Sequence, residues 1–190
     1  MPKLLLALAP LVAAAAMAGA QDPGPPVVVV ETVKGTIAFE VYPEDAPRSV
    51  EHILRLVREK FYDGQRFHRA ERSLVQVGDP LSRDPAQRPR WGTGGSGTAI
   101  GVAEYSRRRR HARGAVGLAF AGVPENADSQ IYFMKAGDDR LDGLHVVIGR
   151  VIEGMDVVDR LGIGDQITRA YVKGGDPSAP RLRLIPRRRP

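Results

Sequence analysis

The sequence has 190 residues, 43% hydrophobic and 26% charged, which suits one globular domain and argues against wholesale disorder. It carries 28 Lys and Arg against 22 Asp and Glu, a formal net charge of +6; that balance suits acidic partners but bears on attraction and solubility, not on fold. There is no cysteine, which excludes disulfides, thiolate nucleophiles, Cys-ligated zinc and iron–sulfur clusters.

The first 20 residues have the pattern of a secretory signal peptide. Lys3 gives a minimal positive start, residues 4–16 are apolar apart from Pro10, and Ala18-Gly19-Ala20 offers a small-residue cleavage site. The apolar run is short for a membrane span, and no second one follows. Export is therefore expected, to the periplasm or beyond, with cleavage near Ala20 and no membrane span in the mature chain. Residues 21–26 (QDPGPP) read as an extended linker.

Residues 27–30 are four valines, a strand signal, and residues 36–42 alternate, with Ile37, Phe39 and Val41 on one face. The Lys34-Gly35 break between them predicts a hairpin. After Pro43, Asp45 is the expected N-cap and Pro47 the first helical position of a helix whose apolar stripe is Val50, Ile53, Leu54 and Val57. Asp63-Gly64 is a turn and residues 74–77 a short apolar run. Residues 80–101, rich in Gly, Pro, Arg and Asp, are expected to form a long ordered loop. Residues 114–121, 131–135 and 145–151 read as strands. Met155, Val158 and Leu161 mark a short second helix stopped by Gly162, and residues 166–173 a closing strand. The Pro- and Arg-rich end, residues 173–190, is expected to be a tail. Many short strands with one long and one short helix, not alternating with them, predict a mainly β fold: an antiparallel barrel capped by helices.

Several chemical readings fail on context. Residues 92–97 (GTGGSG) match G-x-G-x-x-G, but no strand precedes and no helical stripe follows, so this is a loop and not a dinucleotide site. The four histidines, His52, His68, His111 and His145, show no i,i+4 pair, and Ser96 lies in no G-x-S-x-G elbow. No metal and no cofactor are expected. The basic cluster Arg107 to Arg110, His111 and Arg113 lacks interleaved aromatic residues, so a solvated basic loop is favoured over a polyanion site and no specific nucleic-acid partner is expected.

What remains is an ordered set: Phe67-His68-Arg69, Gln76-Val77-Gly78-Asp79, the Gly-rich loop, Ser129-Gln130, and Leu141-Asp142-Gly143-Leu144-His145 leading into a strand. In order and spacing it resembles the signature of the cyclophilin-type peptidyl-prolyl cis/trans isomerases. Residues 33–37 with Ala46-Pro47 resemble that family's opening hairpin and first helix, and residues 149–158 its last strand and second helix. The resemblance covers about residues 27–172. It implies a closed antiparallel eight-stranded barrel capped by two α-helices, no cofactor, and proline-containing polypeptide clients. A monomer is expected.

The chemistry itself is rotation about an amide whose barrier is about 18–20 kcal/mol. At X–Pro the two isomers are close in energy but exchange slowly. Such a catalyst breaks no bond; it binds the twisted amide better than either planar form. An arginine fork suits this, donating to the proline nitrogen or a nearby carbonyl in a low-dielectric site. The resemblance places the catalytic arginine at Arg69. It places substrate contacts at Phe67, Gln76, Ala119, Tyr132, Leu141 and His145, with Leu74 or Val75 as a further wall; His68 reads as a supporting histidine. The segment between Arg69 and Gln76 is one residue shorter than the family's usual form, Val77 stands where Gly is usual, and Tyr132 where Phe is. The shortened loop leaves open a second reading, a low-turnover proline-binding chaperone or scaffold on the same fold.

Overall fold

The computed structural model describes residues 24–174; the expected signal peptide, the first half of the linker and nearly all of the tail lie outside the described residues. Eight strands follow in chain order with two α-helices: β1 (Val27–Thr32), β2 (Gly35–Val41), α1 (Pro47–Arg58), β3 (Arg69–Ala70), β4 (Leu74–Val77), β5 (Ala115–Leu118), β6 (Ile131–Met134), β7 (Val147–Glu153), α2 (Met155–Arg160) and β8 (Ile167–Val172). They form one antiparallel sheet in the order β3-β4-β6-β5-β7-β2-β1-β8. The expected closed barrel appears as a curled sheet whose end strands, β3 and β8, share no ladder. Between them, the stretch before β3 meets the start of β8: Phe67 N–H donates to the Asp165 carbonyl and Ile167 N–H to the Gln65 carbonyl, at 2.9 and 2.8 Å.

The period-2 pattern of the strands sorts their side chains. One face sends Val28, Val30, Ile37, Phe39, Val41, Val75, Val77, Val116, Leu118, Ile131, Phe133 and Ile148 into the main core with the apolar face of α1. Phe39 meets Phe133 edge to face with centroids 5.6 Å apart, a favoured aromatic geometry. Each such fully buried side chain stabilises the fold by roughly 1.5–3 kcal/mol. On the opposite face Leu74, Ala115, Tyr132, Met134 and Val147 form a second, smaller apolar cluster, with Tyr42, Ala119 and Leu141 against it. The second cluster lies where the sequence analysis places the site.

Helix α1 has Pro47 at its first position, as expected, but Asp45 does not cap it. The N-cap is Ala46, with no side-chain bond. Instead Glu104, more than fifty residues away, accepts from the N–H groups of Arg48 and Ser49 at 3.1 and 2.8 Å, so the open donors of the first turn are satisfied by the long loop. Asp45 is taken by that same loop: Ser106 Oγ, Arg108 and Arg109 all donate to its carboxylate. Arg110 pairs with Asp142 and Arg113 with Asp159. The basic run therefore fastens the loop to the turn before α1, to the segment before β7 and to α2, which weakens the polyanion reading.

Burial works to raise the pKa of Asp45, but the hydrogen bonds from Arg109, Arg108 and Ser106 outweigh it and hold the carboxyl at about 2 against an ordinary 3.8. The unfolded chain binds the proton more readily, so this contribution to stability is complete above about pH 3.8 and disappears as pH falls through about 2. Asp45→Asn should be less stable than the wild type at pH 6, with the gap in urea midpoint closing by pH 2. A gap unchanged across that range would contradict the assignment.

Candidate functional site

Four strands bring the site together by register. Arg69 of β3 lies opposite Gln76 of β4, Gln76 opposite Tyr132 of β6, and Tyr132 opposite Gly117 of β5. Paired residues share a face, so Arg69, Gln76 and Tyr132 form one row across the outer side of the sheet. The tight turn between β3 and β4, closed by Glu71 N–H donating to the Leu74 carbonyl at 2.8 Å, fixes the parity of the shortened segment. Leu74 falls on the Tyr132 side and Val75 in the main core. Of the two wall residues the sequence leaves open, Leu74 is the one beside Tyr132.

The polar half of the site is one connected network. Arg69 donates through Nε to Glu71 at 2.7 Å and through Nη1 to Gln76 Oε1 at 3.1 Å. Gln76 Nε2 donates to Gln130 Oε1 at 2.7 Å, and Gln130 Nε2 to the carbonyls of Gly92 and Gly94 at 2.9 and 2.8 Å. Each amide has its oxygen on a donor and its nitrogen on an acceptor, so both orientations are fixed. The chain of bonds orients the Arg69 fork and ties it to the Gly-rich loop. That loop opens no helix. Its Gly92 N–H donates to Asp79, and Ser96 Oγ and Gly97 N–H donate to Asp128. A Cβ at Gly94 would collide with the Asp79 carboxylate.

Beside this network runs a groove of about 510 Å³ lined by Gln76, residues 92–95, Ala119, Phe120, Ala121, Asn126, Asp128 and Gln130. His145 stacks on Phe120 with centroids 4.6 Å apart and meets Tyr132 edge-on at 6.0 Å. Its Nδ1 lies 3.3 Å from the Leu118 carbonyl, which puts the proton on Nδ1. Burial, with His111 and Arg69 adding to it, lowers the His145 pKa, so the ring is neutral at neutral pH. Burial raises the Tyr132 pKa, and its phenol stays protonated.

Leu74, Gln76, Ala119, Tyr132, Leu141 and His145 thus gather on one face with Arg69 at its edge. Phe67 does not join them. It lies before β3 and is fully buried in the main core against Phe133. His68 is half-buried next to Gly92, with both ring nitrogens buried and without a hydrogen-bond partner among the described residues. Among the described residues no three His, Cys, Asp or Glu side chains gather as a metal site would need.

Three contributors carry no sequence signal, and a fourth, Gln130, stands in the Ser129-Gln130 motif without a site role read from it. Phe120 carries no pattern that separates it from strand-flanking residues. Gly117 reads as an ordinary strand residue, yet the Tyr132 ring lies over it and any Cβ there would strike the phenol. His111, set among arginines, reads as surface but is buried, bonded to Tyr132 and Asp142.

Comparison with known proteins agrees with this architecture. Residues 27–180 match the family model described as cyclophilin type peptidyl-prolyl cis-trans isomerase/CLD. The chain is 36% identical over 153 residues to a probable peptidyl-prolyl cis-trans isomerase of Brucella abortus, covering 78% of each. It is 34% identical over 139 residues to peptidyl-prolyl cis-trans isomerase B of Bacillus subtilis, covering 73% of this chain and 91% of that one. A crystal structure of a cyclophilin type isomerase from Cryptosporidium parvum shares the fold with a TM-score of 0.69 at 20% identity, over 80% of this chain and 99% of that one. The cyclophilin AquaCyp293 from Hirschia baltica gives a TM-score of 0.60 at 26% identity, over 76% of this chain and 73% of that one. The chain belongs to the cyclophilin-type peptidyl-prolyl cis-trans isomerase family and is an isomerase of that type.

Proposed function

We propose that the chain accelerates cis/trans exchange at X–Pro bonds of unfolded or extended polypeptides outside the cytoplasm, as a monomer, with Arg69 as the catalytic donor. The observation that carries the reading is the row Arg69–Gln76–Tyr132, in which a cation, an amide and an aromatic ring face the same way across three paired strands. The proline ring sits against the apolar group of Leu74, Ala119, Tyr132 and Leu141, with neutral His145 at its rim. Gln76 bonds the client backbone, and the groove takes the neighbouring residues. As the amide twists, its nitrogen regains a lone pair and the conjugation that resists rotation is lost. A guanidinium held in place by Gln76 and Glu71 meets that developing charge without reorganising, and so favours the twisted form. The backbone bonds between residues 64–67 and 164–167 support reading the curled sheet as a closed barrel.

The Arg69–Glu71 ion pair favours a second reading, a proline-binding module with little turnover, since a guanidinium shared with a carboxylate donates less readily to a client. Export rests on the pattern of residues 1–20.

The rate of exchange in an X–Pro peptide, followed by NMR, separates the two readings. Arg69→Ala should lower kcat/KM by about 10²–10³, as loss of a single transition-state donor does. Gln76→Ala should lower it by about tenfold, near 1.4 kcal/mol, through loss of one backbone contact and of the Nη1 anchor. Equal rates for wild type and Arg69→Ala would sink the catalytic assignment of Arg69, and a wild type at the uncatalysed rate with peptide binding retained would leave the module. For export, the first residue of material collected outside the cytoplasm should be Gln21; recovery of the intact N-terminus there would contradict cleavage.

A further inference from the structure

Tyr132 is held by more than packing. Its Oη lies 2.8 Å from His111 Nε2, and His111 Nδ1 lies 2.9 Å from Asp142 Oδ1. The same carboxylate oxygen accepts from the His111 backbone N–H at 2.8 Å, and Asp142 Oδ2 accepts from Arg110 at 2.9 Å. The imidazole is about 1% exposed, and Tyr132 only 3%. The chain Asp142–His111–Tyr132 therefore runs from the surface into the floor of the site, through a ring shielded from water.

We propose that His111 and Asp142 are positioning residues for the isomerisation: they anchor the Tyr132 phenol by its hydroxyl, across Gly117, and so hold the ring that receives the client's proline.

The inference rests on the isomerase reading of this face and deepens it. Two hydrogen bonds from one residue to one carboxylate oxygen fix the imidazole plane. Burial works to raise the Asp142 pKa, but the His111 and Arg110 bonds bring it to about 2. An ionised carboxylate on Nδ1 keeps the proton there. With Nδ1–H committed to Asp142, Nε2 is left to accept from the phenol O–H. His145 faces the pair from the other side, 6.3 Å from His111 and 6.0 Å from Tyr132 between centroids. Nothing but Gly at position 117 leaves room for the phenol end of the ring to cross β5 and reach His111. A buried hydroxyl without its acceptor is costly, so loss of His111 turns the ring toward water and reshapes the floor. A phenyl ring would carry no such demand.

A double-mutant cycle reads this directly. His111→Asn keeps the donor toward Asp142 and removes the acceptor at the Nε2 position; His111→Gln places an amide oxygen where Nε2 was. In the Tyr132 chain, His111→Asn should lower kcat/KM by about tenfold, the cost of one orphaned buried hydroxyl. The loss should fall on KM, since the floor is met by planar and twisted forms alike. His111→Gln should recover most of it. In a Tyr132→Phe background His111→Asn should change kcat/KM by less than about twofold, within ordinary additivity error. Equal losses in both backgrounds would make His111 a merely structural residue, and no loss in either would show that the hydroxyl needs no anchor; both overturn the proposal. A second readout is the ¹⁵N shift of His111 Nε2, which should move on Tyr132→Phe; an unmoved shift contradicts the bond. A wild-type chain that leaves X–Pro exchange at its uncatalysed rate would remove the isomerase reading, and this role with it, whatever that shift shows.

Discussion

The pleat parity of β4 and β6 is the constraint on which the rest of the molecule depends. Successive residues of a strand face opposite ways. In β4 this sends Val75 and Val77 into the main core and Leu74 and Gln76 to the outer face; in β6 it sends Ile131 and Phe133 inward and Tyr132 and Met134 outward. A slip of one residue in either strand would put Gln76 into the apolar core or turn Phe133 out of it, so the core itself enforces the register. That register aligns Arg69, Gln76 and Tyr132 in one row. The core and the site are thus two faces of the same four strands.

The outer face uses two kinds of order. Its polar side is a bond network from Glu71 through Arg69, Gln76 and Gln130 to the Gly-rich loop, in which each amide is fixed by a donor and an acceptor. Its apolar side is packed, with one polar thread, Asp142–His111–Tyr132, fastening the aromatic ring. The basic loop serves both. Arg108 and Arg109 hold it to Asp45, Arg110 to Asp142, and Glu104 caps α1. The loop's charges are mostly committed to internal partners, which explains how an Arg-rich run can carry His111 into a buried position.

Much of this was legible in the chain. The hairpin of β1 and β2, the apolar stripe of α1 and the mainly β character follow from periodicity, because burial on one face leaves a pattern along the sequence; residues 74–77 read only as an apolar run. Membership of the family follows from ordered motifs. What could not be read is long-range. Asp45 is the obvious local cap for α1, but its carboxylate is claimed by Arg109 and Arg108, and a glutamate more than fifty residues away takes its place. Phe67 belongs to the motif yet is buried in the core, since a motif records which residues recur and not which of them face a client. His111 looks solvated among arginines, and only the folded chain brings Tyr132 and Asp142 to its two nitrogens. Gly117 gives no local sign of the ring that crosses it.

The central claim is that a client's proline settles on the outer face of β3, β4, β6 and β5. Backbone amide shifts recorded while an unlabelled Ala-Pro peptide is titrated into the labelled protein test it most directly. Shifts concentrated at Arg69, Gln76, Ala119, Tyr132 and His145 are the expected result. Shifts centred instead on Tyr42, Arg109 and Arg150, which line a separate cleft, would contradict it.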